Sequence, residues 1–295
     1  MSPLQYKEYG TVQKIRGCII QVQGLKNCIN GQLVRFGPGT EGIIMGFTDD
    51  QSGILLIKEK NPPKTGDKAV MTLEPFNTPV GDEFIGRVVN VLGEPMDNLG
   101  PINVKQYAPI FPRVPSVLER DGVEVTVETG LKTVDAAIPI GRGQRQLILG
   151  DKMSGKTTIG TDIVLNQKGK GVICIYCCIG KSTTALDRLV ALFKSRGALD
   201  YTIIVAALAG QSPGQQYLAP YVASSFGEYF MNKGQHVIAI FDDFTKHAWA
   251  YREVSLLMGR PPGRESYPGD VFYLHSRMIE RAAQLSKKLG GGSMT

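Results

Sequence analysis

Residues 150–157 of the chain read GDKMSGKT. A glycine is followed, after four residues, by Gly-Lys-Thr, and this octapeptide sits between the apolar segment QLILG (146–150) and the helix-like stretch GKTTIGTDIVLNQKG (155–169). Between a strand and a helix, glycines at these positions let the backbone approach a phosphate, and the lysine neutralises its charge. The pattern therefore predicts the phosphate-binding loop (P-loop) of an α/β domain.

Strand and helix patterns alternate along the second half of the chain. Continuous apolar runs predict buried strands, whereas apolar residues three and four apart predict helices. Pro220 is expected to break or kink the third helix. Strands that are apolar throughout and alternate with helices are typical of a parallel sheet covered on both faces. We predict strands over 146–150, 171–180, 201–210 and 236–243, and helices over 155–169, 183–197, 213–234 and 244–259.

Short strands separated by turn signals occupy the first part of the chain. Residues 9–74 contain runs such as TVQKIRGCIIQVQG, EGIIMGF and SGILLIKE, with clusters of Gly, Pro, Asn and Asp between them. This pattern is typical of a small barrel or sandwich. We predict an N-terminal β domain over residues 1–74, a proline-rich connector over 75–125 that wraps rather than forms a core, and a P-loop domain over 126–295.

Composition limits the partners and the compartment. The net charge is +6 and the pI is about 9.0, which is compatible with nucleic acid, an acidic membrane surface or nucleotide phosphates. No apolar run reaches the roughly 18 residues of a membrane helix. Three of the five cysteines lie in GVICIYCCIG, where alternation along a strand points them to opposite faces. We therefore expect buried thiols rather than a metal cage.

The P-loop supplies the candidate nucleotide site. Backbone amides of residues 151–155 and the positive end of the following helix can surround a triphosphate. We expect Lys156 to neutralise the terminal phosphates and the Thr157 hydroxyl to coordinate Mg²⁺. The predicted nucleotide-binding residues are Gly150, Asp151, Lys152, Met153, Ser154, Gly155, Lys156, Thr157 and Thr158.

An acid at the end of a neighbouring strand is expected to hold the magnesium ion through water. The run VIAIFDD ends in Asp242 and Asp243, and both acids could simply cap the helix that begins at Phe244. We predict that Asp243 is the cap. Asp242, the first polar residue after the strand core, is then the predicted metal residue together with Thr157.

The acid that would activate water is absent from its expected place. Hydrolysis needs a group that orients or activates the attacking water. In multimeric ATPases of this build a glutamate usually follows the strand after the P-loop helix, but here Lys181 follows Gly180. The next carboxylate, Asp187, falls inside the following helix pattern. Because an ammonium cannot accept a proton at neutral pH, the sequence predicts a site that binds Mg-nucleotide without cleaving it.

Long motifs along the chain resemble the α subunits of F-type ATP synthases. They include GQLVRFGPGTEGIIMGF, PVGDEFIGRVVNVLGEPMDNLGPI, DIVLNQKGKGVICIY, GALDYTIIVA, FDDFTKHAWAYREVSLLM and above all RPPGRESYPGDVFYLHSRMIERAAQL. The similarity runs from about residue 9 to the last residue. It implies a small β-barrel followed by a RecA-like P-loop nucleotide-binding domain.

The resemblance also implies a function and an assembly. It implies a ring in which α and β subunits alternate around the γ central stalk and make ATP from ADP and phosphate with a proton gradient. The α site would bind ATP and Mg²⁺ without turnover, so no catalytic residue is expected here. No nucleic acid partner is expected. The chain would meet the membrane only through the complex, at the cytoplasmic face of a bacterial cell membrane or the stromal or matrix face of an organelle membrane.

The sequence departs from the family pattern at several positions. Lys181 stands where α subunits usually carry glutamine, and Lys152, Met153 and Ser154 replace the usual arginine, glutamine and threonine of the loop. We expect Lys181 to contact phosphate and alter nucleotide affinity. The usual N-terminal amphipathic helix is missing, so we expect no δ contact with the peripheral stalk through it. The family's next strand and helical domain do not follow KKLGGGSMT, which predicts a C-terminally incomplete α subunit.

Two other functions fit a barrel placed before a P-loop domain. A hexameric RNA-translocating ATPase would need aromatic side chains in the barrel for base stacking, and residues 9–74 offer only the scattered Tyr9, Phe36 and Phe47. A secretion-type ATPase, a ring of identical catalytic chains, would need the missing glutamate. Both remain alternatives to the non-catalytic subunit.

Overall fold

A computed structural model describes residues 7–48 and 50–295 of the chain. The chain divides into two compact units. One comprises the described residues up to Asn77 together with Ser212–Tyr217 and His247–Val271, and the other comprises Thr78–Gln211, Leu218–Lys246 and Phe272–Thr295. Each unit therefore contains several separate stretches of sequence. The domain boundaries at residues 74 and 125 stay a prediction.

Six antiparallel strands close a barrel in the first unit, as the resemblance implied. In order around the barrel, β1 pairs with β2, then β5, β4, β3 and β6. The run read above as one strand, TVQKIRGCIIQVQG, divides into β1 and β2 because Gly17 turns the chain with a φ of 54°. The strands are β1 (Lys7–Arg16), β2 (Ile19–Gln23), β3 (Gln32–Arg35), β4 (Glu41–Phe47), β5 (Gln51–Lys58) and β6 (Lys68–Pro75).

The interior of the barrel is filled by side chains that alternate along its strands. Residues two apart on a strand face the same side of the sheet, so each strand contributes its apolar positions to one core. Phe36, one of the three aromatic residues of residues 9–74, is buried there, whereas Tyr9 and Phe47 are exposed. The core comprises Val12, Ile20, Val22, Leu25, Cys28, Val34, Phe36, Ile44, Ile54, Leu56, Ala69 and Met71.

A six-stranded sheet organises the second unit. The strands after the barrel are β7 (Asn77–Val80), β8 (Val88–Val89), β9 (Gln106–Pro109), β10 (Thr126–Val127), β11 (Ile140–Gly141), β12 (Val172–Lys181), β13 (Thr202–Leu208), β14 (His236–Asp242), β15 (Ala283–Gln284) and β16 (Ser293–Met294). The sheet order is β15-β16-β14-β12-β13-β8, and the pairs among β16, β14, β12, β13 and β8 are parallel. The expected parallel sheet is confirmed.

Six helices lie among these strands. They are α1 (Lys132–Ala137), α2 (Lys156–Leu165), α3 (Thr183–Arg196), α4 (Pro213–Asn232), α5 (Phe244–Leu257) and α6 (Val271–Ile279) in the described residues. Pro220 lies inside α4 and does not end it, so the expected break is absent. Within the described ranges, no helix combines the length and apolar content that spanning a bilayer requires.

The segment before the P-loop differs from its prediction. QLILG (146–150) was expected to be a buried strand, but it has no strand assignment, and Leu147 and Leu149 are 73% and 87% exposed. A strand forms only where a neighbour completes its ladder of hydrogen bonds. At this edge of the sheet β14 pairs with β16 only at His236 and Val237, so residues 146–150 have no partner strand among the described residues.

The connector also contributes more than its composition indicated. Val88 and Val89 form β8, which pairs in parallel with β13 at the edge of the sheet. Phe84 is fully buried and stacks at a tilt against Phe226 of α4, with ring centroids 4.9 Å apart. The expectation that residues 75–125 only wrap around a core is wrong, because these apolar residues find partners on distant segments.

The five cysteines are free and buried, which confirms the expectation for the three in GVICIYCCIG. Cys174 and Cys178 share one face of β12 and belong to the main core of the second unit, together with Tyr176 and Phe193. Burial raises the pKa of Cys174, and it raises the pKa of Cys178 to about 12. These thiols are therefore protonated core side chains at neutral pH.

Candidate nucleotide-binding site

The P-loop spans the gap between residues 146–150 and α2. Its backbone takes left-handed values at Met153, with φ 62°, and at Gly155, with φ 91°. A Cβ atom on Gly150 would lie 2.6 Å from Oγ of Ser154, so the loop closes on a position without a side chain. Gly155 caps α2, and the Ile159 amide donates to its carbonyl at 3.0 Å. The loop therefore presents the N-terminus of a ten-residue helix, where free amides favour an anion.

Lys156 bridges the loop from its C-terminal side. Its ammonium donates to the carbonyl of Gly150 at 2.7 Å and to the carbonyl of Asp151, and it lies 3.4 Å from Oγ of Ser154. A phosphate that displaced the carbonyls would receive a charge-assisted hydrogen bond from the same ammonium.

The remaining loop residues face solvent. The side chains of Asp151, Lys152, Met153 and Thr158 are exposed, and Met153 is fully so. The Thr158 carbonyl accepts from the Thr161 hydroxyl at 2.8 Å, within the first turns of α2. These positions stay candidate nucleotide contacts through their backbone amides. Ser154, Lys156 and Thr157 are the loop residues whose side chains contact the loop or the sheet.

Asp242, at the end of β14, is the point where α2 and the sheet meet. Its Oδ2 accepts from the Thr157 hydroxyl at 2.9 Å and from the Tyr176 phenol at 3.0 Å. Its Oδ1 lies 2.6 Å from the ammonium of Lys181, at the end of β12. Both oxygens of this buried carboxylate are thus engaged, as a charge in a weakly solvated place requires.

Tyr176 is a donor to this acid. Burial and the neighbouring Asp242 carboxylate raise the pKa of Tyr176 far above its ordinary value. The phenol therefore keeps its proton at every physiological pH and donates to the carboxylate. Its ring packs edge-on against Phe193 of α3, with centroids 5.7 Å apart, which fixes the direction of the hydroxyl.

Asp243 has the role expected for it. Its Oδ1 accepts from the Lys246 amide at 2.8 Å, which is an N-cap bond on α5. The Lys181 ammonium is 3.8 Å from Oδ2 of Asp243, much farther than from Asp242. The two adjacent acids are therefore separated in function, one capping a helix and one facing Thr157 and the P-loop helix.

The donor set fits a magnesium ion bound with a nucleotide. Mg²⁺ is usually held by one or two protein oxygens together with substrate phosphates and water, and the Thr157 hydroxyl and the Asp242 carboxylate lie within hydrogen-bonding distance of each other. The described residues contain no cluster of three or more His, Cys, Asp or Glu side chains that could hold a metal by themselves.

Two contacts at this site were not predicted from the sequence. Tyr176 was read only as a strand residue, and Lys181 was expected to contact phosphate rather than an acid. Parallel pairing of β12 with β14 sets Cys178 opposite Asp242, which brings Tyr176 and Lys181 to the same acid. A polar residue inside an otherwise apolar strand was the available signal for Tyr176, because a buried hydroxyl needs a partner.

Similarity to known proteins agrees with this geometry. Residues 130–295 match the model of the ATP synthase alpha/beta family, nucleotide-binding domain. The chain belongs to the ATP synthase alpha/beta family. It is 47% identical over 294 residues to the ATP synthase subunit alpha of Clostridium acetobutylicum, an alignment that covers 100% of this chain and 58% of that protein. The chain thus spans a little over half the length of this relative in the ATP synthase alpha/beta family.

Within this member of the ATP synthase alpha/beta family, the end of β12 carries no carboxylate. Lys181 is its last residue, and Asp187 lies on α3 with an exposed side chain. The charge on the side chain that ends β12 is therefore opposite to that of a water-activating acid.

Proposed function

We propose that this chain is a non-catalytic, ATP-binding α-type subunit of a proton-translocating F-type ATP synthase. Gly150–Thr158 hold the triphosphate, and Thr157 and Asp242 hold the accompanying Mg²⁺. The metal, when bound, would supply positive charge that neutralises the phosphates. In this role the chain contributes to ATP synthesis as part of the complex and does not itself perform the reaction.

One observation carries this proposal. The Thr157 hydroxyl on the P-loop helix reaches Asp242 at 2.9 Å, while the adjacent strand end presents the Lys181 ammonium to the same acid. The first contact joins the two groups that nucleotide binding with magnesium needs. The second puts a cation where hydrolysis requires a group that accepts or orients a water proton. Binding without turnover follows from the two together.

The proposal extends to the assembly. The chain alternates with β subunits in a ring around the γ stalk and meets the membrane only through the complex, on the cytoplasmic face in a bacterium. Its similarity to a protein named ATP synthase subunit alpha supports this arrangement. The proposed domains are the barrel over 1–74, the connector over 75–125 and the P-loop domain over 126–295.

Retention of radiolabelled nucleotide tests the proposal directly. The purified chain is incubated with labelled ATP and Mg²⁺, passed through a short desalting column, and the retained nucleotide is identified by chromatography. We expect intact ATP at about one per chain. Lys156→Ala should weaken binding by about tenfold or more, a loss of about 1.4 kcal/mol, because it removes the charge that faces the phosphates.

A matched control uses another lysine of the same unit. Lys194 lies on α3 with an exposed side chain, so Lys194→Ala should leave retention unchanged. Repeated turnover to ADP would refute the proposal of a non-catalytic subunit. It would favour the RNA-translocating ATPase or the secretion-type ATPase. Equal retention of ATP by the Lys156→Ala variant would show that the P-loop does not bind the nucleotide.

A further inference from the structure

The carboxylate of Asp242 already has a cation. Lys181 and Asp242 form the shortest ion pair around the P-loop, with 2.6 Å between Nζ and Oδ1. The other oxygen accepts from Thr157 and Tyr176 at 2.9 and 3.0 Å. The negative charge of Asp242 is therefore balanced by Lys181, and three of the roughly four acceptor sites of the carboxylate are occupied by groups of the chain itself.

The pair is largely withdrawn from water. The Lys181 side chain is 22% exposed and the Asp242 side chain 11%. An ion pair in such a place interacts strongly, because water screens it little. The groups around it are the Tyr176 phenol from β12, the Thr157 hydroxyl from α2 and the Asp243 carboxylate, 3.8 Å from the ammonium. No other cation is paired with Asp242 among the described residues.

Magnesium would need the same carboxylate. A divalent ion held by Thr157 and Asp242 would lie close to the Lys181 ammonium, and like charges at that separation repel. Either the ammonium leaves Asp242 when the metal arrives, or the metal is bound weakly. Both cases reduce the gain in nucleotide affinity that the metal provides.

We propose that the Lys181 ammonium acts as a built-in cation at Asp242, so that this site binds nucleoside triphosphate with little dependence on Mg²⁺. This inference rests on the proposed nucleotide-binding function. A lysine suits the role because its charge sits on a long, flexible stem, anchored here at the last residue of β12. When phosphates enter the loop, the same ammonium can face both the acid and the triphosphate.

Binding of ATP to the full 295-residue chain, measured by isothermal titration calorimetry, tests the inference. Each protein is titrated with ATP in excess EDTA and again in saturating Mg²⁺. For the unmodified chain we expect the two dissociation constants to agree within about threefold. For Lys181→Gln, which removes the charge and keeps a polar side chain, we expect Mg²⁺ to tighten binding by about tenfold or more.

Two further variants keep the test decisive. Lys181→Arg retains the positive charge and should retain the weak dependence on Mg²⁺, even if Lys181→Gln loses stability. Lys194→Gln makes the same charge change on the exposed face of α3 and should behave like the unmodified chain. Direct titration with Mn²⁺, followed by electron paramagnetic resonance in the presence of ATP, should show tighter metal binding in Lys181→Gln than in either control.

The outcomes separate this inference from the proposed function. The unmodified chain and Lys181→Gln could bind ATP with the same strong dependence on Mg²⁺. That result would refute the proposed role of Lys181 and leave the proposed nucleotide-binding function supported. If ATP binds to neither protein in EDTA or in Mg²⁺, the nucleotide site itself is refuted, and the inference with it. Dependence on Mg²⁺ that appears only when the charge at 181 is removed supports both.

Discussion

The guanidinium of Arg281 and the carboxylate of Glu228 form a two-point ion pair in the interior of the second unit. Nε and Nη2 of Arg281 donate to the two carboxylate oxygens at 2.7 and 2.6 Å. The remaining donors reach the carbonyls of Ile110 and Tyr221 and the hydroxyl of Ser225. The Arg281 side chain is only 4% exposed and the Glu228 side chain 13%. The buried pair joins α4 to the segment after α6.

Removing one charge of this pair should destabilise the chain. Glu228→Gln leaves the Arg281 guanidinium buried without its counter-charge, and we expect a loss of about 3 kcal/mol in the free energy of unfolding. Urea denaturation measures it. Glu280→Gln is the matched control, because the Glu280 side chain is 47% exposed, and its carboxylate lies 2.6 Å from Arg145 and 3.5 Å from Arg120. The Glu280→Gln variant should lose less than about 1 kcal/mol in the free energy of unfolding. Equal losses in the two variants would contradict the prediction.

Asp97 should make stability depend on acid pH. Burial alone would raise the pKa of Asp97, but hydrogen bonds from Arg87, Val88 and Leu99, together with the Arg87 charge, lower it from 3.8 to about 2. Because the folded pKa is the lower one, the ionised acid favours the folded chain. Its contribution is complete above pH 3.8 and is lost as the pH falls through about 2.

The variant Asp97→Asn isolates this contribution. At neutral pH it should lower the free energy of unfolding by about 2 kcal/mol, and the difference from the unmodified chain should shrink below pH 3.8. A series of urea denaturations at decreasing pH provides the measurement. Asp187→Asn, at an exposed position of α3, controls for the change in net charge. A difference that stays constant down to the lowest pH would argue against the Arg87–Asp97 contact as its cause.

Gly155 should combine a cost in stability with a loss of binding. Its φ is 91° and no atom lies within 4 Å of a Cβ placed there, so alanine would meet backbone strain rather than a clash. We expect Gly155→Ala to cost roughly 1 kcal/mol of stability and to weaken ATP binding, because the loop must keep this conformation to surround phosphate.

Gly169 separates the two effects. It lies beyond the end of α2 with a φ of 77° and the same open surroundings. Gly169→Ala should therefore lose a similar amount of stability and keep its affinity for ATP. Thermal unfolding and calorimetric titration measure the two quantities. If both variants lose affinity alike, general destabilisation, not loop geometry, explains the result.

The cysteines should be unreactive in the folded chain. All five are buried, and burial raises the pKa of every one of these thiols. The raised pKa suppresses the thiolate, which is the form that reacts with disulfide reagents. With Ellman's reagent at mildly alkaline pH we expect no rapid labelling, and labelling of all five after unfolding in guanidinium. Rapid modification of one thiol before unfolding would show that its segment opens in the native state.

Much of the architecture followed from local pattern. Apolar runs predicted β12, β13 and β14, and helical spacing predicted α2 and α3, because these elements satisfy their own periodicity over ten or so residues. The P-loop could be predicted from the sequence for a similar reason, because its chemistry depends on residues that are adjacent in sequence. The N-cap of α5 by Asp243 is equally local, joining residues three apart.

What local pattern could not supply were contacts between distant segments. QLILG has the composition of a strand, yet a strand needs a neighbour, and β14 has none at that point among the described residues. The sequence placed Val88 and Val89 in a connector. They form an edge strand because they pair in parallel with β13. The Lys181–Asp242 pair depends on the register between β12 and β14. Sequence spacing named both residues, but only the pairing of two strands sixty residues apart brought the ammonium onto the acid.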